Sequence, residues 1–206
     1  MPRRAKEEAQ KTRSRILASA LDLFAKKGYE HTTFTDIAAR LKMTKGAVYW
    51  HFDTKETLLL ALLDEMLDKF KRQITRLMPK EELTFPAVAE MMVENARQIV
   101  GDPKGTAFFL LMHEQIRWAE DSMSNVRAQL MTNVRFGPWQ AFRTAVANDI
   151  AAGRVKAEVV PERVAHTCVA IWDGLVHVYI AKFMSCGLFE TMSLAFQGVW
   201  RAIGRV

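Results

Sequence analysis

Long apolar runs, cysteines and the leader of an exported protein are scarce or missing in this 206-residue chain. No apolar run reaches the roughly 18–20 residues of a membrane-spanning helix, so we expect no transmembrane segment and no membrane partner. The N-terminus is charged from Arg3 onward and lacks the apolar core of a signal peptide. The two cysteines, Cys168 and Cys186, have no metal-ligand spacing. We interpret them as reduced, mostly buried thiols of a cytoplasmic protein.

The signatures of an enzyme are also missing. We find no nucleophile–base–acid set, no glycine-rich phosphate loop and no low-complexity or solenoid repeat. His166, Asp173 and His177 share one face of a predicted helix, but no further ligand is evident, and a polar patch explains them equally well. We therefore predict no catalytic residue, no metal and no cofactor. An enzyme stays an alternative that turnover dependent on His113 or His177 would revive.

What the chain does have is an uneven distribution of charge. Its formal net charge is +6, and residues 1–55 hold 12 Lys and Arg against 6 Asp and Glu. Residues 56–206 hold 17 of each sign and are neutral. This pattern indicates a polyanion-binding module joined to a neutral one. A basic tail that only improves solubility is the alternative, and the motif in the same quarter argues against it.

Residues 33–52 have the pattern of a helix-turn-helix. A first helix is predicted over Lys11–Lys27, with Gly28 as the left-handed residue behind it. We expect the second helix to start near Thr35 as its N-cap, and the third to start at Thr44. Inward-facing apolar residues leave the opposite face of the third helix for DNA. That face consists of Thr44, Lys45, Gly46, Ala47, Tyr49, Trp50 and His51.

Each side chain on this face has a chemical reason to meet DNA. Thr44 offers a hydroxyl and a helix N-terminal amide to a phosphate, and Lys45 reaches a guanine edge or a phosphate. Gly46 allows close approach of the backbone, while Tyr49 suits the sugar-phosphate wall with its polar tip. Trp50 has two interpretations: it contacts DNA, or it packs on the first or fourth helix.

The flanks of the motif are less specific. Asp53 and Glu56 form a capping-box-like pair at the start of the fourth helix. Lys55 follows in the first turn, where a cation is unfavourable for the helix dipole, so we predict a phosphate partner, with a solvated lysine as the alternative. Residues 3–6 are expected to be an unstructured arm that either follows DNA or is simply solvated.

These residues resemble those of the TetR/AcrR family of bacterial transcriptional repressors over roughly residues 10–70. The string from Gly46 to Phe52 is most similar to AcrR-like regulators of multidrug efflux. One departure is Lys42, where family members often have glycine, and a lysine in a left-handed conformation costs roughly 1–2 kcal/mol. Either the turn differs slightly, or Lys42 offsets the strain with a phosphate contact.

The resemblance implies a homodimer that places its third helices in the major groove of a pseudo-palindromic operator. It also implies a DNA-binding domain over residues 10–70 and a ligand-binding and dimerisation domain over residues 71–206. The implied DNA contacts are Thr33, Thr44, Lys45, Gly46, Tyr49, Trp50, His51 and Lys55.

Behind the motif, helical periodicity continues and no strand pattern appears, so the fold class is all-α with a nine-helix, TetR-like layout. The fourth helix should end near Leu77 before Pro79. The later helices are predicted at Phe85–Val100, Thr106–Ala119, Ser124–Ala152 with a kink at Gly137–Pro138, Pro161–Met184 and Leu188–Ile203.

The last two predicted helices are apolar nearly all round, which favours burial on more than one side. We therefore predict that they form a four-helix bundle with a second subunit. The interface residues predicted from this pattern are Val169, Trp172, Gly174, Val176, Phe196 and Trp200.

The middle helices are rich in methionine and aromatic residues with a few polar groups among them. Such side chains adapt to varied apolar ligands, although ordinary core packing explains most of them equally well. The predicted pocket residues are Phe108, Met112, His113, Trp118, Met131, Phe136, Trp139 and His177.

The sequence thus predicts a cytoplasmic repressor whose partners are double-stranded operator DNA, a second copy of itself and a small hydrophobic or amphipathic inducer. Control of an efflux transporter is one interpretation. Control of a metabolic operon, or DNA binding without a small-molecule effector, is the alternative.

Overall fold

The computed structural model describes the backbone of residues 2–77, 83–133 and 137–205, and the side chains of these except 2, 3, 66, 67, 69–71, 73–77 and 130–133. The predicted all-α class is confirmed: the described ranges form helices and no strand, apart from an isolated bridge between Val155 and Gly204. None of the described helices is long and apolar enough to cross a bilayer. The α-helices are α1 (Pro2–Lys27), α2 (Phe34–Leu41), α3 (Lys45–Tyr49), α4 (Lys55–Leu77), α5 (Phe85–Gly101), α6 (Pro103–Leu110), α7 (Ser124–Asn133), α8 (Pro138–Ala151), α9 (Pro161–Ile180) and α10 (Leu188–Ile203).

Several helix ends agree with the sequence-based expectation. Helix α10 has the predicted bounds and α4 ends at Leu77, while Pro79 lies outside the described residues. Gly28 has φ +86 behind α1, as a left-handed residue should. Helix α1 itself begins at Pro2 rather than Lys11, so the expectation of an unstructured arm over residues 3–6 is wrong. Proline is favourable in a first helical turn, where its missing N–H has no partner to lose.

The same property of proline explains why the prediction of a single kinked helix over residues 124–152 is wrong. Pro138 lies at the first position of α8 with Gly137 as its N-cap, so the Gly-Pro pair starts a new helix. The predicted Thr106–Ala119 helix also differs, because α6 begins at Pro103 and passes into a π-helical turn over Leu111–Gln115. Helix α9 ends at Ile180, four residues before the predicted end, and the chain turns at Lys182 with φ 61.

The chain divides into two compact units, and the first consists of residues 1–65 and 103–130. Apolar residues of α1 to α4 form its core together with Leu111, Ile116, Met123 and Val126. Residues 103–130 therefore pack with the helix-turn-helix, whereas the resemblance implied a second domain over residues 71–206. Periodicity shows that a helix has an apolar face but does not identify the neighbour that covers it.

The second unit consists of residues 66–102 and 131–206, in which α5, α8, α9 and α10 pack together. Asp149 of α8 is fully buried and connects three segments. Its carboxylate accepts hydrogen bonds from the Phe85 backbone N–H (2.8 Å) and from Arg154 Nε (2.7 Å). The Phe85 bond caps the start of α5, whose own N-cap residue, Thr84, makes no side-chain capping bond.

The two cysteines differ in exposure. Cys168 is buried, and burial raises the pKa of its thiol to about 12. Cys186 is exposed, with Sγ 3.3 Å from the hydroxyl of Thr191, so the prediction of buried thiols is correct only for the first.

Candidate nucleic-acid interface

Helix α2 begins with a reciprocal cap at Thr33, not at Thr35. The Thr33 hydroxyl accepts a hydrogen bond from Asp36 N (3.2 Å), and Asp36 Oδ2 accepts one from Thr33 N (2.9 Å). Asp36 also pairs with Lys27 at the end of α1. The hydrogen bonds from Lys27 and Thr33 hold the pKa of the Asp36 carboxyl well below its usual range. The predicted DNA contact Thr33 is exposed, and its side chain is already engaged in fixing α2.

The turn between α2 and α3 uses a left-handed lysine. Lys42 has φ 54 and ψ 44, its N–H donates to Ala39 O (3.2 Å), and Met43 N donates to Ala38 O (3.0 Å). These two bonds satisfy carbonyls at the end of α2, as glycine-containing helix ends usually do. Because lysine carries a Cβ, this conformation costs about 1–2 kcal/mol relative to a right-handed one.

Helix α3 is anchored on one side and open on the other. Thr44 is its N-cap, accepting a hydrogen bond from Ala47 N at 3.2 Å, and Val48 and Phe52 are buried in the core of the first unit. The opposite side is solvent-exposed, with 44% of Tyr49 and 74% of Trp50 accessible. We define the recognition surface as the exposed residues of this segment, Thr44, Lys45, Gly46, Tyr49 and Trp50.

Ring contacts fix the aromatic side chains of this surface. Tyr49 packs edge-on against Phe34 of α2 at 4.9 Å between ring centroids, and Lys45 Nζ lies 5.4 Å from the Tyr49 ring. Trp50 makes a T-shaped contact with His51, at 4.6 Å between centroids, and its high exposure favours the interpretation as a DNA contact over packing on α1 or α4. His51 is half-buried, and burial, followed by the charge of Arg13, lowers its pKa.

Lys55 is engaged within the protein in a way the sequence did not indicate. Its Nζ donates to the carbonyls of Tyr29 (2.9 Å) and Glu30 (3.2 Å) and lies 4.3 Å from the centroid of the Tyr29 ring. The Glu30 carboxylate is 3.9 Å away. Two of the three ammonium donors thus hold the loop after α1 against the start of α4, which leaves one donor for a phosphate.

The cap of α4 also differs from the predicted pair of Asp53 and Glu56. Thr54 N donates to Thr57 Oγ1, and Thr57 N donates to Thr54 Oγ1, both at 3.1 Å. The capping box is therefore shifted by one residue and built from two hydroxyls. The Thr-x-x-Thr spacing was a signal for it in the sequence.

The predicted pocket residues are divided between the two units. Phe108, Met112 and Trp118 pack against the core of the first unit, and Trp118 Nε1 donates to Met112 O at 2.6 Å. His113 stacks on Phe109 with 4.0 Å between ring centroids, and its Nδ1 is 2.9 Å from Phe109 O.

The other predicted pocket residues belong to the second unit or lie outside the described part. Trp139 lies 5.4 Å from His166 between ring centroids, and its buried Nε1–H finds no acceptor among the residues that the structure describes. His177 is half-buried near the end of α9. Phe136 lies outside the described residues, and the side chain of Met131 is not described.

Of the predicted dimer-contact residues, three are buried within the second unit itself. Trp172, Val176 and Phe196 are at most 7% exposed in the single chain, and Trp172 Nε1 donates to Met92 O at 2.9 Å. Within the chain these three side chains are buried where α9 and α10 pack with α5 and α8. Their assignment to the dimer interface stays a prediction. Val169 and Trp200 are half-buried, and Gly174 is exposed.

An exposed apolar face remains on the same two helices. We define the outer α9–α10 face as Gly174 and Val178 of α9 with Leu194 and Gly198 of α10. Val178 is 38% and Leu194 68% exposed, and a Cβ placed on either glycine would meet nothing within 4 Å. Each pair is spaced i, i+4 and so lies on one side of its helix.

The described residues contain no group of three or more His, Cys, Asp and Glu side chains that could hold a metal ion. The predicted alternative at His166, Asp173 and His177 therefore gains no support.

Comparison with known proteins agrees with this architecture. A family model described as "Bacterial regulatory proteins, tetR family" matches residues 16–62, from α1 into α4. The chain is 31% identical over 182 residues to the HTH-type transcriptional regulator TtgR of Pseudomonas putida, covering 87% of this chain and 85% of TtgR. The fold is similar to that of NalD, the secondary repressor of the MexAB-OprM multidrug efflux pump in Pseudomonas aeruginosa (TM-score 0.75, 20% identity, 96% and 98% of the two chains). It is similar as well to that of SmeT in complex with triclosan (TM-score 0.77, 22% identity, 94% and 92%). This chain belongs to the TetR family of bacterial transcriptional regulators, a family of DNA-binding proteins and not of enzymes.

Proposed function

We propose that the protein is a ligand-responsive transcriptional repressor that binds a pseudo-palindromic operator as a homodimer. A small hydrophobic or amphipathic inducer releases it, and the repressed gene encodes an efflux transporter. The recognition surface is the observation that carries this proposal. A short helix anchored by Val48 and Phe52 presents a hydroxyl, an ammonium, a phenol and an indole to solvent.

Those groups match what a duplex offers. Ammonium and hydroxyl groups bind phosphates or base edges, and aromatic rings with polar tips suit the groove walls. Exposure of the apolar Trp50 ring to water is unfavourable in the free protein. A DNA partner that covers the ring would remove this unfavourable free energy. The excess of positive charge over residues 1–55 adds sequence-independent attraction to the same module.

The outer α9–α10 face supports the dimer. Two glycines with open space above them allow a second pair of helices to approach closely, while Val178 and Leu194 supply apolar area. Two subunits joined by this face would present two recognition surfaces, as an operator with two half-sites requires.

The placement of residues 103–130 supports coupling between inducer and DNA. Phe108, Met112 and Trp118 pack against the same core that anchors α3, so a ligand that displaces them acts on the unit that reads DNA. An inducer needs only to prefer the conformation that does not fit the operator, and DNA then weakens inducer binding by the same factor.

The first experiment measures binding to DNA. Fluorescence anisotropy with the DNA flanking the protein's own gene should show saturable binding at nanomolar concentration, with two subunits per site and a steep dependence on salt. Footprinting should reveal two half-sites separated by about one helical turn or a multiple of it. Binding equal to that of scrambled DNA at every salt concentration would contradict the proposal.

The second experiment tests the inducer. Triclosan is a suitable probe because the structural relative SmeT has been solved with it. Triclosan should raise the melting temperature and weaken operator binding by the same linkage. Operator binding that no hydrophobic probe alters would instead favour a regulator without a small-molecule effector. A flanking metabolic operon in place of a transporter gene would redirect the search for its target.

A further inference from the structure

A groove in the second unit lies between α5 and α10, and it has a composition of its own. Its volume is about 400 Å³, within the range of small-molecule sites. Phe85, Ala89 and Phe196 form a buried floor, and the half-buried Trp200 stacks on Phe85 with 5.5 Å between centroids and 17° between planes. The floor is therefore mainly aromatic, and two of its rings are nearly parallel.

The rim of the groove adds a negatively charged side chain. Among the described residues that line the groove, Glu90 is the one that is ionisable, and it is exposed on the rim together with Gln197. Within the described part of the chain, no basic side chain forms an ion pair with Glu90. A planar apolar body fits this floor, and a positive charge on that body would meet both the Glu90 carboxylate and the negative face of the Trp200 ring.

We propose that this groove is a second ligand site, which binds small planar aromatic cations. It is separate from the predicted inducer pocket, because none of the predicted pocket residues lines it.

A second copy of the chain is a less suitable occupant of the groove. On α10 the groove residues Phe196 and Trp200 lie about a third of a turn or more from Leu194 and Gly198, at about 100° per residue. Gln197, on the rim, lies about 60° from Leu194, so a partner on that face would approach the rim but not the aromatic floor. The outer α9–α10 face can therefore be covered by a partner while the groove stays open to a small molecule.

The test uses the full-length protein and a pair of probes of equal shape, the cation N-methylquinolinium and the neutral 1-methylnaphthalene. Calorimetric titration should give a dissociation constant at least about threefold lower for the cation. The NMR signal of the Trp200 indole N–H, assigned with Trp200→Phe, should shift on addition of the cation.

Two variants and one control locate the site. Glu90→Gln should reduce affinity for the cation roughly two- to fivefold and leave the neutral probe unchanged. Ser193→Trp, which fills the groove from α10, should weaken both probes by more than about tenfold. Glu94→Gln makes the same charge change one turn further along α5, outside the lining, and should alter neither. Circular dichroism and the melting temperature establish that each variant is folded.

Three results would overturn the proposal. They are no binding of the cation at millimolar concentration, equal affinity for both probes, or an affinity that is unchanged in folded Glu90→Gln and Ser193→Trp. Loss of binding in Trp139→Phe, with Ser193→Trp unaffected, would place the cation in the predicted inducer pocket and equally contradict a second site.

Discussion

The recognition surface and the outer α9–α10 face both expose apolar side chains to water, but their companions differ. Tyr49 and Trp50 stand beside Lys45 and the hydroxyl of Thr44, on a module with excess positive charge. The outer α9–α10 face as defined consists of two glycines and two aliphatic residues, none of which is charged. Exposure alone therefore does not identify a partner. Neighbouring cations favour a polyanion, and neighbouring glycines favour close packing of another helix.

The largest effect, on dimerisation, is expected when a charged residue is introduced on the outer α9–α10 face. Leu194→Glu should leave the single chain folded, because 68% of this side chain is exposed. It would place a carboxylate from each subunit in an apolar interface, and we expect dimerisation to weaken on the order of 100-fold. Analytical ultracentrifugation measures the dimer constant, and anisotropy should show a comparable loss of operator binding.

Val160→Glu is the matched control for this variant. Val160 is an apolar residue with 41% exposure at the opposite end of α9, away from the outer α9–α10 face. The Val160→Glu variant should dimerise like the wild type. A fully dimeric Leu194→Glu protein would show that a different surface joins the subunits.

The second prediction removes groups from the recognition surface. Lys45→Ala and Tyr49→Ala should each weaken operator binding roughly 10- to 100-fold, since a good contact to DNA contributes about 1–3 kcal/mol. Dimerisation should not change, and Lys45→Ala should keep the melting temperature because Lys45 is exposed. Tyr49→Ala should lower the melting temperature slightly, because it removes the ring contact with Phe34, but the protein should stay folded. If Lys45 binds a phosphate, the salt slope should fall by about one, whereas a base contact would relax specificity. Wild-type affinity and salt dependence in both variants would show that α3 does not read the operator.

The sequence was sufficient to predict this surface because the surface depends on residues that are close together in the chain. Val48 and Phe52 are one helical turn apart, and their burial fixes which face of α3 is outside. The predicted interface residues Trp172 and Phe196 show what such reasoning leaves open. An apolar helix surface indicates that something covers it, but it does not distinguish α5 or α8 of the same chain from a second subunit.

The Lys55 side chain illustrates the same limit for polar residues. Its hydrogen bonds go to backbone carbonyls 25 and 26 residues earlier, in a loop whose position depends on tertiary packing. No local sequence pattern predicts such a contact. The expectation of a phosphate partner considered only the helix dipole, and the structure supplies a second reason for a cation at this position.

The third prediction separates these two roles of Lys55. Lys55→Met keeps the aliphatic stem over Tyr29 but removes the ammonium, and it should reduce the free energy of unfolding by about 1–2 kcal/mol. We expect weaker operator binding through the displaced loop, with the salt slope unchanged. Chemical denaturation and a salt series of anisotropy titrations measure the two quantities. A slope lower by about one, with stability intact, would identify a phosphate contact instead.

The fourth prediction uses two left-handed lysines, one in each unit as far as the structure describes them. Lys42 has φ 54 and Lys182 has φ 61. Replacing either by glycine removes strain at the Cβ but adds entropy to the unfolded chain, so each variant should gain up to about 1 kcal/mol in stability. Lys42→Gly should also bind the operator several-fold more weakly if its ammonium reaches a phosphate. Lys182→Gly controls for the conformational effect and should bind DNA like the wild type. If the two variants bind DNA with identical affinity, the Lys42 ammonium makes no phosphate contact and the lysine contributes only backbone strain.

The smallest effect concerns acid, and it too differs between the units. The pKa of Asp36 is held below its usual range by hydrogen bonds from Lys27 and Thr33, and the pKa of Glu162 at the start of α9 is lowered by its hydrogen bond with Arg143. A carboxyl whose pKa is lower in the folded state stabilises the fold above its unfolded pKa of about 4, and this contribution is lost as the pH falls further. Asp36→Asn and Glu162→Gln should therefore each flatten the fall in melting temperature between about pH 5 and pH 3. Only Asp36→Asn should weaken operator binding at neutral pH, because this carboxylate holds the first turn of α2 beneath the recognition surface. If Glu162→Gln impaired DNA binding equally, the second unit would control the position of α3 even without an inducer.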